Sequence, residues 1–132
     1  MMISTRGRYA LRVMIDLAKQ PEGEYTAMKE VAARQDISLK YLEKILPVLV
    51  AEKRVEGIHG KGGGYRLTRE AKDYSVGEIL RVAEGDLAPV SCLACDAEAC
   101  EREHSCKTRP MWSELDRLIT GFLDGKRLSD LL

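Results

Sequence analysis

Four of the six residues from position 59 to 64 are glycine, in the order His-Gly-Lys-Gly-Gly-Gly. Short strand-like runs lie on both sides, at 55–58 and 65–67, so the segment predicts a β-hairpin with a glycine-rich tip. A glycine-rich loop that holds a nucleotide phosphate is instead followed by the N-terminus of a helix. Because a strand follows here, the pattern favours a hairpin wing and excludes a nucleotide site.

Three predicted helices precede this hairpin. Apolar residues at helical spacing predict a first helix over 5–20 and a second over 26–35 with Thr26 as its N-cap. Ser38 is the expected cap of a third helix, whose Leu39 and Leu42 are expected to face inward. Pro47 predicts a kink or break in that helix. Two helices joined by a tight turn and followed by a hairpin are typical of a winged helix-turn-helix.

In such a fold the first turns of the third helix enter the major groove of double-stranded DNA, with the wing beside them. Phosphates and base edges are contacted by hydroxyl, lysine and aromatic side chains. The alternative is that such side chains belong to an ordinary solvated surface. Their position after a helix-turn favours contact with DNA. The predicted DNA-binding residues are Arg8, Ser38, Lys40, Tyr41, Lys44, His59 and Lys61, with Arg6, Arg12 and Arg66 as further candidates.

Charge is divided unevenly along the chain. The formal net charge is zero, yet residues 1–72 carry 14 Lys and Arg against 9 Asp and Glu, and residues 73–132 carry 7 against 12. A basic half and an acidic half fit a chain whose first half meets phosphates. The sequence shows no signal peptide and no run long enough to cross a membrane, which predicts a cytoplasmic protein.

The second half is predicted to be helical. Ser75 and Glu78 have the spacing of a capping box for a helix closed by Gly85, and Pro110 suits the first turn of a last helix ending at Gly125. The last helix carries a wide apolar stripe, which favours a homodimer over packing within one chain. Its members are Met111, Trp112, Leu115, Leu118, Ile119, Phe122 and Leu123.

The predicted fold is therefore mainly α with a small β-hairpin wing. Residues 1–72 form a winged helix DNA-binding domain. Residues 73–132 form a helical dimerisation region that contains a cysteine-rich sensor loop at 91–107.

All four cysteines lie in that loop. Cys92, Cys95, Cys100 and Cys106 form the pattern C-x2-C-x4-C-x5-C. Clustered thiols in a cytoplasmic protein indicate metal binding or redox chemistry, and thiolates select zinc or iron–sulfur clusters. Spacing alone does not choose between these two. The loop is also acidic, which predicts that it rearranges or becomes disordered when no metal is bound.

Four stretches resemble the Rrf2 family of bacterial winged helix regulators. They are the opening run 4–12, the third helix at 37–46, the wing at 62–67 and the segment 106–112 with its last cysteine and tryptophan. The resemblance implies a homodimeric transcriptional regulator whose long last helices cross. It also implies that Cys92, Cys100 and Cys106 bind an iron–sulfur cluster, [2Fe–2S] in preference to [4Fe–4S].

Two positions depart from the family pattern. Arg109 stands where some members have a histidine ligand, and Arg8 where others have an acidic ligand. Cys95 is therefore the predicted fourth ligand, with His104 as the second candidate.

The predicted function is a DNA-binding regulator, acting as a repressor on a palindromic operator. It is expected to sense iron–sulfur, redox or nitric-oxide status through a cysteine-ligated cluster. The alternative is a cluster-free regulator of the same fold that responds to thiol oxidation, zinc or a partner protein. An enzyme is not expected, because Cys92 and Cys95 do not open a helix beside a βαβ unit.

Overall fold

The computed structural model describes residues 3–132, and α-helices with one β-hairpin make up their regular structure. The α-helices are α1 (Thr5–Ala18), α2 (Met28–Gln35), α3 (Leu39–Ala51), α4 (Val76–Glu84) and α5 (Arg109–Gly125). The strands are β1 (Val55–Ile58) and β2 (Gly64–Leu67), and short 3-10 helices cover Ala71–Asp73, Ser91–Leu93 and Leu128–Leu131. The strands pair antiparallel, with Val55 opposite Leu67 and Ile58 opposite Gly64. The predicted fold class is confirmed.

Side-chain caps explain where the helices begin. The Ser38 hydroxyl accepts a hydrogen bond from the Tyr41 backbone N–H at 3.1 Å, as predicted for the start of α3. Ser75 and Glu78 cap α4 reciprocally, so the predicted capping box is confirmed. Gly85 follows α4 with a φ of 87°, a conformation that glycine adopts without strain.

Thr26 does not cap α2, and that prediction was wrong. The helix begins at Met28, and its N-cap Ala27 provides no side-chain hydrogen bond. Thr26 instead lies beside β2, where its backbone N–H and carbonyl each bond to Tyr65 at 2.8 Å. The wing is thereby attached to the start of α2 through the backbone.

One prediction about α3 was also wrong. Leu39 does not face inward, because 42% of it is exposed, whereas Leu42 is fully buried as predicted. At Pro47, where the sequence predicts a kink or break, the helix is not broken and continues to Ala51. Pro47 removes one backbone donor, and the remaining hydrogen bonds together with buried Leu46 and Leu49 hold the last turn.

The core joins the N-terminal helices to the C-terminal end of the chain. Tyr74 is fully buried, and its hydroxyl donates to the Arg54 carbonyl at 2.7 Å and accepts from the Thr68 and Arg69 N–H groups at 2.9 and 3.0 Å. Leu128 is fully buried in the same cluster, and its N–H bonds to the Tyr74 carbonyl at 3.0 Å. The chain after α5 therefore returns to the winged helix core.

Two carboxylates fix α4 against α1 and α5. Glu84 accepts hydrogen bonds from the backbone N–H groups of Ser4, at 2.8 Å, and Gly7, at 3.0 Å, at the start of α1. A Cβ on Gly7 would overlap the Glu84 carboxylate, so a larger residue at this position would displace that side chain. Asp124 of α5 accepts two hydrogen bonds from Arg81 of α4, at 2.7 and 3.1 Å. These contacts set the position of α5 relative to α4 and α1.

Asp16 is the buried charge of the core, with 3% of the residue exposed. Arg34 donates to its carboxylate at 2.7 and 3.1 Å, and Gln35 donates at 2.9 Å. Burial alone raises the pKa of Asp16, but these hydrogen bonds and the charge of Arg34 lower it below its ordinary value of 3.8. The bonds tie α1 to the end of α2.

Asp16 therefore gives the protein an acid-sensitive contribution to stability. A carboxyl group whose folded pKa is lowered stabilises the fold above its unfolded pKa, and this contribution is lost as pH falls through the folded pKa. We expect the free energy of unfolding to fall more steeply below about pH 4 in the wild type than in Asp16→Asn. Urea unfolding between pH 3 and 7 measures this, with exposed Glu52→Gln as control. If the free energy of unfolding depends on pH in the same way in the wild type and in Asp16→Asn, Asp16 is not the source of this acid sensitivity.

No helix among residues 3–132 has the length and apolar character needed to span a membrane.

Candidate DNA interface and cysteine loop

The first turns of α3 form a polar face. Ser38, Lys40 and Lys44 are exposed, and neither lysine forms an ion pair within residues 3–132. Tyr41 is half-buried, and its ring meets that of Tyr9 edge to face with centroids 5.1 Å apart. The two lysines are therefore free to contact an external anion, while Tyr41 is held against α1.

The arginines of α1 have different surroundings. Arg8 is exposed and donates to the Thr5 hydroxyl at 3.1 Å. The guanidinium of Arg12 donates to the Gln35 carbonyl at the end of α2 and lies 5.2 Å from the centroid of the Tyr9 ring. Arg12 thus positions the helix-turn-helix, whereas Arg8 stays accessible.

The wing presents His59 and Lys61 at its tip, both exposed. Gly60 and Gly62 have φ values of 95° and 79°, which explains why the tip requires glycine. Arg66 lies at the base of the wing, where it donates to Glu56 across the strands at 2.6 Å and to the Gly23 carbonyl at 2.8 Å. Arg66 therefore stabilises the base of the wing.

One face of α5 is apolar and exposed within the single chain. It consists of Met111, Leu115, Leu118 and Phe122, which are 52%, 38%, 65% and 63% exposed. The spacing of four, three and four residues places these side chains on one side of the helix. None of the residues of α5 is buried. Exposed apolar area of this extent on one helix is typical of an interface between proteins.

The cysteines lie in the irregular segment between α4 and α5. Cys92 and Cys106 are half-buried, Cys95 and Cys100 are exposed, and all four are free thiols. No three of the four sulfur atoms lie within 4.8 Å of one another in the part of the chain described. The three potential metal-ligating residues that do meet this distance are Asp86, Cys95 and Asp96, all exposed. The thiol set matches the ligand chemistry of an iron–sulfur cluster, whose cysteine ligands bind different iron atoms and need not lie this close together.

Asp86 anchors the loop, a role for which the sequence had offered no signal. Its carboxylate accepts hydrogen bonds from the backbone N–H groups of Ala88 and Cys95, both at 2.8 Å. These bonds lower the pKa of Asp86. Hydrogen bonding to Asp86 and its negative charge raise the pKa of the Cys95 thiol.

Cys106 has the opposite environment, just before α5. Its sulfur lies 3.4 Å from the Thr108 hydroxyl. That contact is the largest cause of a lowered pKa of Cys106, and the backbone N–H groups of Thr108 and Arg109 lower it further. A lowered pKa favours the thiolate, the form that metals bind. Thr108 is the N-cap of α5, yet its side chain makes no cap hydrogen bond.

Arg109 and His104 are the two other residues near the loop that the sequence singles out. Arg109 forms an ion pair with Glu103 at 3.5 Å, so it serves as a contact between the loop and α5. His104, the second candidate for a fourth ligand, is exposed.

Comparison with known proteins identifies similar chains along the whole length. A family model described as "Rrf2: Iron-dependent Transcriptional regulator" matches residues 3–132. The protein Rrf2 of Nitratidesulfovibrio vulgaris is 36% identical over 134 residues, which cover 100% of this chain and 87% of that protein. The HTH-type transcriptional regulator IscR of Escherichia coli is 31% identical over 132 residues, which cover 100% of this chain and 80% of IscR.

Among solved structures, CymR, the global cysteine regulator of B. subtilis, is similar in fold and sequence. The two chains have a TM-score of 0.82 and 35% identity, over 99% of this chain and 95% of CymR. The family model, IscR and CymR are all described as regulators, in agreement with the expectation that the chain is not an enzyme.

Proposed function

The chain belongs to the Rrf2 family of transcriptional regulators, and from this premise we propose that it binds a palindromic operator as a homodimer and senses through a cysteine-ligated iron–sulfur cluster. Residues 1–72 read the DNA, and residues 73–132 dimerise and carry the sensor loop 91–107. The chain acts in the cytoplasm as a repressor. The observation that carries the proposal is the exposed, unpaired lysine face of α3 beside a glycine-rich wing, on a chain whose α5 presents an apolar face.

DNA binding is assigned to α3 and the wing. The contacting residues are Arg8, Ser38, Lys40, Tyr41, Lys44, His59 and Lys61. Lys40 and Lys44 stand four residues apart on the exposed side of α3, a spacing that allows both to meet one groove or its flanking phosphates. A palindromic operator requires two such helices related by a twofold axis, which the apolar face of α5 supplies by pairing with a second copy.

Sensing is assigned to the thiols of the loop. Cys92, Cys100 and Cys106 are the proposed cluster ligands, with Cys95 as the fourth and a [2Fe–2S] cluster as the preferred form. Such a cluster supplies a site that changes with iron supply, oxidation or nitric oxide. Ligation of Cys106 restrains the start of α5 at Thr108–Pro110. Because Arg81 and Asp124 join α5 to α4, a restrained loop biases the angle between the two DNA-reading helices.

The cluster assignment is tested by iron and sulfide content and by visible absorption, on protein purified without air. We expect iron and acid-labile sulfide in equal amounts in the wild type. Cys100→Ser and Cys106→Ser are each expected to lose the absorption and most of the iron, because the remaining thiols cannot complete the ligand set. His104→Ala serves as the matched control in the same loop, and its iron content is expected to equal that of the wild type.

A colourless wild-type protein overturns the cluster assignment. Zinc in a ratio of one per chain, or a disulfide after exposure to oxidant, then identifies the second candidate, a cluster-free regulator. The observation that favours this candidate is the exposure of the free thiols of Cys95 and Cys100, because oxidants reach accessible thiols most readily.

A further inference from the structure

The first residue of α3 is an exposed leucine on an otherwise polar face. Leu39 is 42% exposed, while Leu42, Ile45 and Leu46 of the following turns are 0–3% exposed. The core beneath α3 is therefore filled without Leu39. Its chain neighbours Ser38 and Lys40 are both exposed and polar.

The position of Leu39 matches the part of the helix that meets base edges. In helix-turn-helix proteins, residues of the N-terminal turns of the recognition helix contact the bases in the major groove. Ser38 caps α3 through the Tyr41 N–H, so Leu39 is the first side chain that the helix presents. An apolar side chain at this depth has one apolar partner on a base-pair edge, the C5 methyl group of thymine.

Leu39 lies outside the exposed apolar face of α5 and outside the core. The exposed apolar face of α5 belongs to residues 111–122, and Leu39 packs in neither of the two core clusters. Val48, near the other end of α3, has nearly the same exposure at 40% but lies beyond the turns that enter the groove.

We infer that Leu39 is a specificity-determining residue that packs on the C5 methyl group of a thymine in each operator half-site. This inference rests on the proposed DNA binding by α3 and goes beyond it, since it names the base and the chemical group that are read. Lys40 and Lys44 supply affinity through charge, whereas Leu39 distinguishes thymine from cytosine and from uracil.

The test removes the methyl group and the side chain separately. The full-length wild type enriches a duplex from a random pool, and each thymine of that duplex is then replaced by deoxyuridine, which lacks the methyl group alone. At one position of each half-site we expect a loss of wild-type affinity of about fourfold, the effect of exposing one buried methyl group. Leu39→Ala is expected to bind the thymine duplex more weakly than the wild type and to be insensitive to deoxyuridine at that position.

Val48→Ala is the matched control, and it is expected to keep the wild-type response to deoxyuridine. Thermal unfolding of each variant checks that it is folded; alanine suits a helix, so Leu39→Ala is expected to fold. Deoxyuridine without effect at every position, or Leu39→Ala with an unchanged response to it, overturns the inference while DNA binding stands. A protein that enriches no duplex overturns both the inference and the proposed function.

Discussion

Replacing Leu118 and Phe122 together with glutamate is expected to convert the protein into a folded monomer and to abolish tight operator binding. Leu118 and Phe122 are the two most exposed members of the apolar face of α5, at 65% and 63%. Four charges at the centre of a twofold interface repel one another and lose hydration, which no remaining contact compensates. A monomer binds only one half-site, so affinity for the palindrome is expected to fall by about 100-fold to 10,000-fold.

Sedimentation measures the oligomeric state, and titration of a palindromic duplex measures the affinity. Thr120→Glu adds a single glutamate at another exposed position of α5 and is the control for a new negative charge on this helix, expected to stay dimeric. Because no residue of α5 is buried in the single chain, the double variant should keep the helical circular dichroism of the wild type. A variant that remains dimeric with wild-type affinity contradicts the assigned interface.

Removing both lysines of the α3 face is expected to weaken DNA binding strongly and to change its salt dependence. Lys40→Ala/Lys44→Ala takes four cations from a dimer, and each phosphate contact contributes about 0.9 to the slope of log affinity against log salt. We therefore expect a slope smaller by about 3.6 and an affinity lower by about 100-fold at moderate salt.

Fluorescence anisotropy at several salt concentrations measures both quantities. Lys19→Ala/Lys72→Ala removes the same number of charges from exposed positions outside α3, and it is expected to leave the slope nearly unchanged. An equal loss in the two double variants would show that net charge, and not the face of α3, governs binding.

Local signals allowed much of this structure to be predicted. The glycine-rich tip between two strand-like runs, the Ser38 cap and the Ser75–Glu78 box each depend on residues within a few positions of one another. Such signals predict structure well because the residues that interact are close together in the chain. The exposed stripe of α5 was also predictable, since helical spacing alone places its members on one side.

The wrong predictions concern residues whose partners are distant. The sequence predicts Thr26 as a helix cap, but its backbone N–H and carbonyl are hydrogen-bonded to the backbone of β2. Leu39 fits the apolar pattern of α3, yet the core below is already filled by the residues that follow it. The return of Leu128 to the core and the hydrogen bond that the Gly7 N–H donates to Glu84 had no sequence signal, because both join segments more than fifty residues apart.

The cysteine loop was predictable in composition and not in geometry. Clustered thiols indicate a soft-metal or redox site, whereas the positions of their sulfur atoms depend on what they bind. The Asp86 carboxylate, which holds the Cys95 backbone, lies in a region that sequence patterns treat as an ordinary turn.

The central claim is that the cysteine loop controls the DNA-reading half of the same molecule. The most direct test measures operator affinity of one anaerobic wild-type preparation before and after its iron is removed by a chelator, with dimer content followed in parallel. We expect the affinity to change at least about tenfold, typical of a coupling between two sites, while the protein stays folded and dimeric. Equal affinity in the iron-loaded and iron-free states, with the iron demonstrably removed, would contradict it.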